Sequence, residues 1–184
     1  MAEEGKQSAR ELMLLLADIE ARSRSSALGL PETHLHEQTW DCLAYSIGGV
    51  RVVSGMNEVT EMLPYPEQVT PVPGAKPWML GLANIRGSLM PVIDLQVYLG
   101  AKPVVNSKQA RMLVIRMRGL AAGLLVPSVQ GMRHFSEEAR MPNARMRGAI
   151  GEYVYDAFAI EGDIWPVFSF SALSADPEFR VAAA

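Results

Sequence analysis

Few side chains in this sequence are of the types that make or break bonds. It holds one cysteine, Cys42, and three histidines, His34, His36 and His134. Cys42 lies in an apolar, strand-like stretch between Trp40 and Leu43 and reads as a buried, inert thiol. His34 and His36 stand two apart with Glu32 and Glu37 as the nearest further ligands, a poor set for a metal, and His134 is isolated. Glu137 and Glu138 are neighbours in the chain, a poor geometry for paired acid–base work. A phosphate-binding loop, a GxSxG elbow and an HExxH motif are all missing from the sequence. The reading is of a non-enzyme that needs no metal and no cofactor. The chemistry left over is recognition. In Asn84-Ile85-Arg86-Gly87 an arginine sits at a strand end beside a glycine, and a guanidinium held there offers a rigid fork to a carboxylate.

The elements that must hold this arginine run from Gly81 to Gly100. Leu80, Leu82 and Ile85 form one apolar run and Leu89 to Leu95 a second, with Gly87-Ser88 predicted as the hairpin tip between them. Pro91 has no N–H for a sheet ladder, so its strand is expected at an edge or to begin near the proline. Asp94 is placed to cap a short helix through Tyr98, which Gly100 ends.

The rest of the chain falls into similar pieces. Residues 8–22 are predicted as a helix: Ser8 and Glu11 make a capping box, and Leu12, Leu15, Leu16 and Ile19 fall on one face. A Ser-rich linker follows to Gln38. Hairpins are predicted at 42–53 around Gly48-Gly49, at 112–126 around Arg118-Gly119, and at 154–168 around Glu161-Gly162-Asp163. Met56 to Leu63 reads as one strand, with Val59 and Glu61 on one side of it. Pro64 to Gly74, 101–110 and 137–147 read as loops, the last with room for a short helix. Trp165-Pro166-Val167-Phe168-Ser169-Phe170 echoes Met90-Pro91-Val92-Ile93-Asp94-Leu95, 75 residues earlier, which suggests two similar small β-units. Short strands with Gly turns point to barrels or a sandwich.

Composition narrows the class. Of 184 residues 49% are apolar, enough for a sizeable core and too many for a disordered chain. A net charge of −3 argues against general nucleic-acid binding. The Arg-rich stretch 111–118 also lacks the aromatics that a single-strand binder would stack on bases. Charge is uneven: seven Arg face two Glu over 111–147, then six acidic residues face one Arg over 148–184. No apolar run nears the ~20 residues that span a bilayer, and the acidic N-terminus is not that of a signal peptide. With one cysteine a reducing compartment fits, and the expected location is cytoplasmic.

The Gly81–Gly100 stretch resembles the signature of the CheW family, adaptors that couple bacterial chemoreceptors to a histidine kinase. The residues that carry the resemblance are Gly81, Asn84-Ile85-Arg86-Gly87, Pro91-Val92-Ile93-Asp94-Leu95 and Leu99-Gly100. It extends more weakly from Trp40 to Leu173. The resemblance implies an all-β fold of two small intertwined five-stranded SH3-like barrels with a groove between them, here with an added N-terminal helix. The domain layout expected is 1–38 for helix and linker, 39–176 for the CheW-like domain and 177–184 for a tail. The partners implied are the regulatory domain of a CheA-like histidine kinase and the cytoplasmic tip of a methyl-accepting chemoreceptor, with no nucleic acid and no membrane insertion.

By the same resemblance Arg86 belongs at the receptor groove. Val59 and Glu61 border it, as the first and third residues of Val59-Thr60-Glu61-Met62. A pairing of Glu61 with Arg86 across the groove follows as a hypothesis from their charge. Asn84 joins the set with the motif, Gly81 and Gly87 permit tight turns, and Val129 matches an apolar groove residue of the second unit. Two plainer readings stay open: Arg86 as a tie to backbone carbonyls, and Val129 as a core valine. Pro127 and Ser169 stand where relatives usually carry acidic residues, and Ile85 replaces a leucine. With the long N-terminal extension, these departures resemble the branch serving type IV pili and twitching motility more than the flagellar branch. The rival from another class is a small enzyme or ligand-binding barrel with a pocket lined by Trp78, Trp165 and Cys42.

Overall fold

The structure, a computed structural model, describes residues 39–183. The helix expected over 8–22, its linker, His34 and His36 lie outside the described residues. In chain order the strands are β1 (Thr39–Ile47), β2 (Val50–Gly55), β3 (Glu61–Pro64), β4 (Met79–Ile85), β5 (Ser88–Asp94), β6 (Arg111–Met117), β7 (Leu120–Val126), β8 (Ser128–Ser136), β9 (Arg140–Pro142), β10 (Val154–Ile160) and β11 (Asp163–Phe168). Among the described residues α1 (Leu95–Tyr98) and α2 (Phe170–Leu173) each follow a strand, and α3 (Pro177–Ala183) follows α2. The protein is mostly β. One sheet has the order β8-β1-β2-β11-β10-β9 and the other β3-β6-β7-β5-β4. The second has the five strands expected of a barrel, and the first adds the three-residue β9.

The two sheets share one plan. Each centres on a parallel pair, β2 with β11 and β5 with β7, flanked by antiparallel hairpins. In each sheet one hairpin then sends its next strand to the other sheet. The β1–β2 hairpin is followed by β3, which pairs with β6; the β6–β7 hairpin is followed by β8, which pairs with β1. This exchange is what intertwines the barrels. The chain crosses over twice, through residues 56–60 and through Pro127 alone.

Four tight turns set the hairpins. Gly48-Gly49, Arg86-Gly87, Arg118-Gly119 and Glu161-Gly162 all have positive φ at both residues, the type I′ geometry that suits the right-handed twist of a hairpin. In the β4–β5 hairpin Ile85 pairs with Ser88, so the tip is Arg86-Gly87 and not the predicted Gly87-Ser88. That places the arginine itself at the turn, with φ 51°. Strand β5 is internal, not an edge. Pro91 is tolerated because the ladder to β7 begins only at Val92; likewise Pro166 precedes the Val167–Val53 pair.

The continuous apolar runs follow from burial on both faces. In β1, Cys42 and Ala44 point into the first barrel with Phe135, Phe158 and Trp165, while Leu43, Tyr45 and Ile47 face the core between the barrels. In β6, Met112 and Val114 fill the second barrel, while Leu113 and Ile115 join that same central core. Period-2 alternation is present, but both sides are apolar. Cys42 and Trp165 therefore lie in one core and Trp78 in another, each no more than 7% exposed, so the rival pocket lined by all three is not formed.

The segment 177–184, read from sequence as a tail, contains α3, and its Phe179 is fully buried. Asp176 precedes the helix, and its Oδ1 accepts from the N–H groups of Glu178 at 2.8 Å and Phe179 at 3.4 Å. Tyr153 donates to its Oδ2 at 2.7 Å and in turn accepts from Tyr98 at 3.0 Å. Burial raises the Asp176 carboxyl, but these donors outweigh it and hold the group below its ordinary value of 3.8. A depressed carboxylate contributes stability that is complete above the unfolded value and lost as pH falls through it toward the native one. Protection of the Glu178 and Phe179 amides is therefore expected to fall below about pH 3.8 before the strands open. Protection factors measured against pH by amide exchange check this, and Asp176→Asn should remove the dependence.

Candidate functional site

The site is built where the first crossover meets the barrel seam. After β2 the chain makes a 3-10 turn at Met56–Glu58, and β3 begins only at Glu61, so the single strand predicted over 56–63 is broken. Val59 and Thr60 bridge the gap, and the Thr60 N–H donates to the carbonyl of Val114 at 2.8 Å. An apolar depression of about 410 Å³ opens beside them, lined by Leu43, Met56, Val59, Thr60, Glu61, Met62, Gly131 and Met132. It runs from the crossover to β8, across the junction of the two barrels.

Arg86 is joined to the wall of this depression through Glu61. Strands β3 and β4 are the two ends of the five-stranded order, yet Arg86 Nη2 at the end of β4 lies 2.5 Å from Glu61 Oε1 on β3. Only a sheet curled into a barrel brings its edges this close. The pair is an ion contact without the direction of a hydrogen bond, so Oε1, itself buried, has charge compensation but no aligned donor. The Arg86 side chain is 77% exposed and that of Glu61 23%, so the pair orients more than it stabilises. Asn84 sets this geometry, because its Oδ1 accepts from the Gly87 N–H at 2.8 Å and locks the turn that carries Arg86.

The remaining sequence candidates divide. Gly87 is in the turn, with φ 84°. Gly81 is away from the depression. It has φ 142°, and a Cβ there would meet the Thr70 carbonyl oxygen at 2.1 Å, so it allows residue 70 to bridge Leu82 on the outer edge of β4. Val129 pairs with Tyr45 beside the β1–β8 bulge and packs on the central core; the depression is lined instead two and three residues further on. Met132, 65% exposed and directly opposite Leu43, was not singled out from sequence, and β8 itself was not predicted. Its alternation of Gln130, Met132 and His134 against Val129, Gly131 and Phe135 was the available signal, blurred by Gly131 and the polar neighbours.

Other reactive groups are accounted for. Cys42 is fully buried and donates to the Arg133 carbonyl at 3.5 Å. Burial, then the neighbouring Asp41 charge, push its thiol up from 9.0 to about 11. A disulfide reagent at pH 8 is expected to modify Cys42 at least ~100-fold more slowly in the native chain than in denaturant, which a colorimetric thiol assay reads directly. His134 lies against Asp41 at 2.6 Å on the surface. Among the described residues no cluster of metal-ligating side chains forms, and no helix is long and apolar enough to cross a membrane.

Two intertwined barrels of one plan, joined at an apolar depression whose Glu61 pairs with an arginine turn, define a CheW-type scaffold. The pattern of the CheW-like domain matches residues 41–178, and the chain belongs to that family, one of chemosensory scaffold adaptors and not of enzymes. It is similar to the protein PilI of Pseudomonas aeruginosa, with 37% identity over 163 residues, covering 87% of this chain and 89% of that protein. A probable chemotaxis protein CheW of Rhizobium etli is 25% identical over 149 residues, covering 80% of this chain and 96% of its own length. In three dimensions the scaffolding protein CheW of Thermoanaerobacter tengcongensis shares the fold, with a TM-score of 0.63 at 21% identity over 71% of this chain and 89% of that one.

Proposed function

We propose that this protein couples methyl-accepting chemoreceptors to a CheA-type histidine kinase, in a cytoplasmic pathway that controls type IV pili and twitching motility. The observation that carries the reading is the Arg86–Glu61 pair set beside the Met56–Val59–Met62–Met132 depression. An apolar trough with a pre-oriented guanidinium at its edge suits the cytoplasmic tip of a receptor, which is helical: apolar side chains fill the trough while the fork takes a carboxylate or carbonyl. The kinase regulatory domain, itself CheW-like, is the second partner. A further depression of about 430 Å³ along the β3–β4 seam, lined in part by Leu63, Tyr65 and Ile85, offers it apolar strand edges. The similarity to PilI supports the pilus pathway over the flagellar one. Titrating the full chain with a receptor-tip fragment and, separately, with the kinase regulatory domain tests the reading. Saturable binding of both is expected, and binding of neither would leave the fold without this function.

A further inference from the structure

We propose that Glu58 is the positioning residue of the groove. This deepens the adaptor reading and rests on it for the identity of the ligand. The observation begins with the internal repeat. After β5, α1 is capped from within, because Asp94 Oδ1 accepts from the N–H groups of Gln96 and Val97 at 3.0 and 3.1 Å. After β11 the matching position is Ser169, whose hydroxyl accepts only from Ala172 at 3.1 Å. The carboxylate missing from this second copy is supplied from elsewhere in the chain. Glu58 Oε2 accepts from the Phe170 N–H at 2.9 Å, and its Oε1 accepts from the Ser171 N–H at 3.1 Å and the Ser169 hydroxyl at 3.3 Å. The donors lie more than 110 residues away in sequence.

The other end of Glu58 is the groove wall. Glu58 closes the 3-10 turn of the first crossover, next to Val59 and three residues before Glu61. That turn has no side-chain cap of its own. The second crossover is a single proline, which is stiff by itself, whereas the first is five residues long and has few anchors. Both Glu58 oxygens are taken by donors from the first turn of α2, so the wall that carries Met56, Val59 and Glu61 is pinned to the end of β11. Charge-assisted bonds to backbone amides are strong and directional, which suits a strut. Glutamine is nearly isosteric, yet it turns one of the two acceptors into an NH₂ group facing a backbone N–H, so it cannot keep both contacts.

The test uses the isotope-labelled full chain as wild type, Glu58→Gln and Ser169→Ala. Amide exchange and chemical shifts are followed at 56–62 and 170–171, and each protein is titrated with the receptor-tip fragment and the kinase regulatory domain. Glu58→Gln is expected to deprotect the Phe170 and Ser171 amides, shift the resonances of Val59 to Met62, and weaken receptor-tip binding about tenfold, with kinase binding within twofold. Ser169→Ala keeps both backbone contacts and should do less. Should Glu58→Gln not fold, Glu58→Asp, which keeps the charge but shortens the reach, replaces it. Deprotection at 170–171 with unmoved groove resonances or unchanged receptor affinity overturns the proposal. If wild type binds no receptor tip, it is the adaptor reading that fails, and the groove resonances alone decide the role of Glu58.

Discussion

Phe179→Ala is expected to lower stability by about 3–5 kcal/mol, the range for emptying a fully buried aromatic site. Phe179 is wholly buried, stacks on Trp78 with ring centres 6.3 Å apart and meets Tyr98 edge-on at 5.4 Å. Its helix, α3, spans seven residues, too few to persist alone in water. Two outcomes compete once the ring is gone. The helix stays and leaves a cavity, or it peels away and exposes Trp78. Both are costly, and they separate by spectrum, since only the second reddens tryptophan emission. Chemical denaturation with an unchanged slope measures the loss. A value under 1 kcal/mol would mean that α3 is not part of the core. Val181, 82% exposed on the same helix, provides the contrast, and Val181→Ala should stay within about 0.5 kcal/mol of wild type.

Arg86→Glu is expected to weaken receptor-tip binding about 100-fold while leaving the fold intact, and this is the second large effect. The turn accepts the change, because Glu161 already occupies the same place in the β10–β11 hairpin, with the same φ of 51° as Arg86. The stability lost with an exposed ion pair is about 0–1 kcal/mol, with a small addition because the new carboxylate faces Glu61. Binding suffers more. In the proposed binding mode the cation that faces the partner becomes an anion that repels it, and the buried Glu61 oxygen loses its compensation, effects that at a desolvated interface reach about 2–5 kcal/mol. Arg86→Lys separates charge from shape. It keeps the positive charge but loses the planar fork, and an intermediate loss is expected. Affinities from calorimetry, with melting curves run in parallel, check all three proteins. If Arg86→Glu binds the receptor as wild type does, Arg86 only closes the barrel seam and the groove assignment is wrong.

Much of this was legible from local signals. Glycines between apolar runs marked the four hairpins, with the β4–β5 tip read one residue late at Gly87-Ser88, because a two-residue turn needs positive φ and few residues besides glycine take it easily. Asp94 declared its cap, since a short acidic side chain before an apolar turn can reach the free amides beyond it. The repeat at Pro91 and Pro166 is real, and the ladder explains it: in both copies the proline stands one residue before a parallel pair. Even the Glu61–Arg86 contact followed from charge and motif neighbourhood.

The tertiary structure decided what depends on partners distant in the chain. That β3 and β8 change barrels is written in no local pattern, because an edge strand pairs with whatever ladder is open to it. Strand β8 went unpredicted because its outward face is largely polar and Gly131 interrupts it, and its ladder partner is the distant β1. The tail became a helix because Asp176 caps it and a cavity beside Trp78 and Tyr98 takes Phe179. Glu58 looked like one more surface charge until the fold set it against the first turn of α2. The hairpins, the Asp94 cap and the family signature were legible in the sequence alone, because they depend on residues within reach of one another along the chain. The groove, its strut and the buried C-terminal anchor came only with the packing of the two barrels, because each joins groups that nothing short of the whole fold brings together.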